Sequence, residues 1–138
     1  MNELEASLAL VVADKFTPLA MRNLFERFKT AAVIVGVSRT ELLSVPNVAK
    51  SAPDALAEVV RSGKHLRELE ECQKQAITLL PLSDAAYPPA LKTIFDPPPL
   101  LYMRGSLKPD DALALAIVGS RNATTYGNVQ AARFARDF

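Results

Sequence analysis

The sequence predicts an α+β chain, and three observations carry that prediction. Helix-start signals recur at short intervals through the first 76 residues, short apolar runs closed by proline or glycine take over from Ile77, and a last apolar run stops at Gly119 and turns into a helical pattern. The 138 residues are 49% hydrophobic with a formal charge of +1, ordinary for globular material. No overall basic field advertises nucleic acid, so any such site has to be local. The single cysteine, Cys72, excludes an internal disulfide and fits a reducing compartment. No apolar run approaches the roughly 18–20 residues that span a bilayer, and the opening Met-Asn-Glu-Leu-Glu lacks the basic stretch of a signal peptide. A cytoplasmic location without membrane contact is expected.

From Asn2 to about Asp14, Leu4, Leu8, Val11 and Val12 fall at helical spacing, with Glu3 and Glu5 in the first turn where the helix dipole favours negative charge. Thr17-Pro18 reads as an N-cap followed by proline at the first helical position, and Leu24, Phe25 and Phe28 give this second helix an apolar face. Thr30 caps a short third helix ending at Gly36, and Ser38 to Glu41 has the spacing of a capping box opening a fourth. After Val45-Pro46-Asn47-Val48-Ala49, Pro53-Asp54 opens a helical stretch that runs to Arg61 and, past Gly63, to about Ala76. Cys72 lies in a charged helical pattern and is expected to be inert. His65, the only histidine, has no second ligand nearby in sequence and is expected at the solvated surface. Neither a metal nor a cofactor is predicted.

At Ile77 the texture changes. Ile77 to Leu82 is too short for a helix and reads as a strand, and Tyr87 to Ile94 as a turn into one or two helical turns. Pro97-Pro98-Pro99 cannot donate ladder hydrogen bonds and favours an extended, stiff connector packed against its domain. Leu100 to Gly105 reads as a second strand. Leu113 to Gly119 reads as a third, buried and parallel, followed by a helix from about Thr124. A strand, a glycine turn and a helix N-terminus make an anion site, because the first helical N–H groups are unpaired and point beyond the strand.

Two resemblances bear on function. Leu42 to Ser51 resembles the second hairpin of helix–hairpin–helix modules, with Asn47 and Ala49 where that family has glycines. Those glycines let phosphate approach the backbone, so a packing or protein-contact role is expected here, with residual DNA contact through Lys50, Arg22 or Arg27 as the alternative.

The second resemblance is wider. Tyr87-Pro88 with Leu91 and Ile94, Asp96-Pro97-Pro98, Leu101-Tyr102 with Gly105, Ile117-Val118-Gly119-Ser120-Arg121 and Tyr126-Gly127, in this order behind a small helical domain, resemble the DNA-processing protein A (DprA, or Smf) family. The resemblance implies a helical domain of sterile-alpha-motif (SAM-like) type over residues 1–76 and the truncated start of an extended Rossmann-like α/β domain over residues 77–138. It implies a non-catalytic protein that binds single-stranded DNA, loads the RecA recombinase during natural transformation, and dimerises through the Rossmann-like domain. It carries the DNA-binding role to Gly119, Ser120 and Arg121, with Thr124 standing where serine is frequent. The fork of donors on Arg121 beside helix N–H groups and two hydroxyls suits a phosphate and needs no base reading. Tyr126 either packs on the strand beneath or stacks on a base. Because a Rossmann-like sheet needs strands beyond Phe138, the chain is expected to be a fragment that binds single-stranded DNA weakly or not at all.

Two other readings compete. Nucleotide phosphoribohydrolases of the lysine-decarboxylase-like family also place a Gly-Ser-Arg corner after an early strand, but lack the Tyr-Pro to Asp-Pro-Pro segment and the helical domain. Alternatively the helical domain is the functional part, a protein-interaction module. A dinucleotide-dependent oxidoreductase fits less well, since Gly119 to Thr124 is not Gly-x-Gly-x-x-Gly.

Overall fold

The computed structural model describes residues 1–108 and 115–137, which fall into two compact units, Met1–Gly105 and Ser106–Phe138. The first unit opens with six helices: α1 (Glu3–Ala13), α2 (Pro18–Phe28), α3 (Ala31–Gly36), α4 (Arg39–Leu43), α5 (Ala52–Ser62) and α6 (Lys64–Lys74). It continues with β1 (Thr78–Pro81), the single turn α7 (Pro89–Lys92) and β2 (Leu100–Met103). In the second unit α8 (Thr125–Asp137) follows an irregular stretch. No helix among the described residues is long and apolar enough to cross a membrane.

Local capping explains where the helices begin. Thr17, Thr30 and Ser38 each accept a hydrogen bond from the backbone N–H three residues on, and Glu41 completes the capping box at Ser38. Asn2 and Glu5 form a second capping box at α1 that the sequence reading did not single out. Gly63, at φ +66°, ends α5 and starts α6, a left-handed conformation that costs glycine little. One cap comes from far away. The carboxylate of Glu3 in α1 accepts from the Ala31 and Ala32 amides at 2.8 and 2.9 Å, closing the start of α3.

Helix α1 is the hub of this unit. One side, through Ala6, Ala9, Leu10 and Ala13, packs with Leu24, Ile34, Leu42 and Leu56 of α2 to α5. Its other side, through Leu8, packs with Cys72, Leu79 and Leu100, so the hairpin shares a core with α6. A helix apolar on most of its circumference has to be covered all round, which α1 is. Full burial of each side chain of the Leu8, Leu24 or Ile34 kind contributes about 1.5–3 kcal/mol relative to exposure.

The strands β1 and β2 pair antiparallel, Thr78 opposite Met103 and Pro81 opposite Leu100, and two expectations elsewhere are corrected. Leu115 to Gly119 is irregular and exposed, with Val118 at 89%, where a buried strand was expected; Leu113 and Ala114 of that run lie outside the described residues. No strand among the described residues pairs with this stretch, and an unpaired strand has nothing to hold its N–H and C=O groups. Finally, His65 is buried, its Nδ1 3.3 Å from the Val59 carbonyl oxygen, instead of solvated. It shares the buried face of α6 with Cys72, two turns further on.

The connector expectation fits the hairpin. The Tyr87 hydroxyl donates to the Pro98 carbonyl at 2.9 Å, and the Leu82 amide donates to the Pro99 carbonyl at 3.0 Å. Tyr87 is fully buried, and this burial raises its phenol pKa.

Candidate nucleic-acid interface

The corner after Gly119 is built from short-range hydrogen bonds. Thr124 is the N-cap of α8: its Oγ1 accepts from the Gly127 amide at 3.1 Å, and its carbonyl accepts from the Asn128 amide at 3.0 Å. The amides of Thr125 and Tyr126 have no backbone acceptor among the described residues, the usual state of the first helical residues. The Thr124 hydroxyl keeps its proton to donate, because the cap uses only a lone pair. Ser120 Oγ donates to the Asn122 carbonyl at 3.0 Å and folds the loop back on itself.

These elements enclose a shallow recess of about 430 Å³, with Gly119, Ser120 and Thr124 on its wall and Ile117 and Val118 as its apolar part. Of the five residues assigned from sequence, the recess therefore brings together three. Arg121 and Tyr126 stand outside it, both exposed, with Tyr126 at 74%. Tyr126 does not pack on a strand beneath, since no strand lies there among the described residues. Arg121 makes no ion pair among the described residues, whereas Arg133 in the same unit is near Asp137 at 3.6 Å. Arg121 lies in the exposed loop that precedes α8.

Gly119 does not supply the sharp turn expected of it. Its backbone is not left-handed, and a Cβ there would meet nothing within 4 Å. Gly127 is the tighter position, where a Cβ would stand 3.4 Å from Thr124 Oγ1, the capping atom. Asn128 also lines the recess and was not singled out from sequence. Its spacing of one helical turn from Thr124 is the signal that would have found it.

Residues of the first unit offer no metal site: no group of three or more His, Cys, Asp or Glu among the described residues could hold an ion. Burial, then the charges of Glu68 and Glu71, push the Cys72 thiol up, which makes it a poor nucleophile. In the hairpin-like turn, Asn47 takes the left-handed conformation, φ +67°, that a glycine would supply. Its neighbour Pro46 accepts from Asn23 Nδ2 at 3.1 Å, and Arg27 donates to Ser44 at 2.8 Å, so α2 holds this turn by side chains.

Residues 78–138 match the family model described as DNA recombination-mediator protein A. This segment is similar to the DprA family. Over 62 residues the chain is 39% identical to the DNA processing protein DprA of Bacillus subtilis (strain 168), a stretch that makes up 44% of this chain and 21% of that relative. The chain thus aligns with about a fifth of the DprA relative's length. The DprA match includes the β1–β2 hairpin, the Asp96-Pro97-Pro98 connector and the whole described corner. No solved structure matches the chain.

Proposed function

We propose that the chain takes part in non-catalytic handling of single-stranded DNA. In this reading Gly119, Ser120, Arg121 and Thr124 hold backbone phosphate, Tyr126 offers a ring to a base, and the bound strand is passed to the RecA recombinase during DNA uptake and recombination. The observation that carries it is the exposed Arg121, without an ion pair among the described residues, in the loop that leads into the N–H end of α8 within the segment similar to the DprA family. The exposed Tyr126 supports stacking over packing.

The same reading divides the chain into a SAM-like helical domain, residues 1–76, and the start of a Rossmann-like DNA-binding domain, residues 77–138. The family match beginning at residue 78 supports that boundary. Dimerisation belongs to the Rossmann-like part, and the site of action is the cytoplasm.

With one guanidinium, two hydroxyls and two spare amides, the corner should hold DNA weakly. In a fluorescence-anisotropy titration with labelled oligothymidylate, affinity should fall steeply with salt, and Arg121→Ala should weaken it roughly tenfold. Unchanged affinity in Arg121→Ala would remove the corner from the DNA path.

A further inference from the structure

A second group of aromatic and basic side chains lies in the first unit, away from the Gly-Ser-Arg motif in sequence. Helix α2 and the segment from Ile94 to Pro97 enclose a groove of about 440 Å³, with Phe25, Leu82, Ile94 and Pro97 as its apolar wall and Arg22, Glu26 and Lys29 as its polar one. Phe95 stands at its edge with 69% of its surface exposed. Large aromatic rings are not left in water without cost, and this one is held there. The tri-proline connector that follows it is pinned by the Tyr87–Pro98 and Leu82–Pro99 hydrogen bonds.

The cations around the ring are arranged unequally. Arg22 lies over one face of Phe95, its Cζ 4.1 Å from the ring centre, and is fixed there by Glu26 at 2.8 Å. The Glu26 charge is thereby taken up. Lys29, exposed at the end of α2, has no ion-pair partner among the described residues. An aromatic ring backed by a guanidinium, open on its other face, with a free ammonium across an apolar groove, has the parts of a single-strand stacking site.

We infer that this groove is a second contact for single-stranded DNA, with one base stacked on the open face of Phe95 and a flanking phosphate on Lys29. The inference rests on the single-strand reading of the chain but uses a different set of residues, so the two can fail separately. Because stacking is read through the ring face, this contact is sequence-tolerant. Arg22 acts through Phe95, orienting the ring and enriching its pairing with a base.

The chain contains no tryptophan, so Phe95→Trp places a single indole reporter at the groove. Oligothymidylate should quench it saturably, and in Arg121→Ala the quenching should still saturate, at a midpoint up to roughly tenfold higher. Lys29→Glu should shift the midpoint to higher DNA concentration and lower the slope of log affinity against log salt by about 0.7. In anisotropy, Phe95→Ala should weaken binding roughly 5- to 100-fold, while circular dichroism shows the helices intact. Binding by anisotropy without quenching, and lost in Arg121→Ala, would overturn the groove and leave the corner standing. Quenching by an acidic peptide such as oligoglutamate but not by oligothymidylate would overturn it in favour of a protein partner.

Discussion

The helices of residues 3–74 and the corner of residues 115–137 are opposite solutions to the same problem of satisfying a backbone. In the first, backbone groups are closed mostly within a turn of chain or by a cap, and Leu8, Leu10, Leu24 and Ile34 are almost completely removed from water. In the second, Leu115, Val118, Tyr126 and Val129 are all more than half exposed, and Thr124 and Ser120 tie the loop by short-range hydrogen bonds. A helix carries its hydrogen bonds with it, whereas a strand borrows them from a neighbour. Apolar sequence alone therefore buries a residue only where a partner surface is present.

The sharpest way to break this comparison is to truncate the same chemistry in both places. Leu24→Ala should lower stability by about 2–5 kcal/mol in urea unfolding followed by circular dichroism. Val118→Ala should change it by less than about 0.5 kcal/mol. Equal losses would mean that residue 118 is covered. Next in size is the long-range cap. Glu3→Ala leaves the Ala31 and Ala32 amides without their carboxylate and should cost about 1–3 kcal/mol, with Glu3→Gln recovering part of the loss.

A smaller effect sharpens how firmly the hairpin is held to α6. Tyr102 keeps 43% of its surface exposed, yet its phenol is pushed up to about 12 by desolvation first, then by the charges of Glu68 and Cys72 and a hydrogen bond to Glu68. The folded value lies above the ordinary value of 10, so the contribution is complete below pH 10 and is lost as pH rises toward 12. Stability against pH should therefore fall less steeply above pH 10 in Tyr102→Phe than in the parent, with the phenolate absorbance band reporting the titration.

Much of the helical unit was legible in the sequence because its determinants are local. Thr17-Pro18, Thr30, the Ser38–Glu41 box and Gly63 mark their boundaries within four residues of the groups they satisfy. Glu3 was read only as a favourable charge in its own helix, since its actual targets lie 28 and 29 residues away. His65 was misplaced because α6 is rich in charge; its spacing with Leu69 and Cys72, one and two turns on, was the clue to an inward face. Strand direction and the exposure of Leu115 to Gly119 depend on which partners are present, which no local pattern states. At the corner the cap at Thr124 was local and readable in kind, while the outward placement of Arg121 and Tyr126 was not.

The central claim, that the corner is where single-stranded DNA is held, is tested most directly by amide chemical-shift mapping with oligothymidylate. The largest shifts within residues 106–138 should fall on Ser120, Arg121, Thr125 and Tyr126, and in Arg121→Ala those of the other three should need roughly tenfold more oligothymidylate to develop. Shifts that leave these four amides unmoved while the strand is bound would contradict the account.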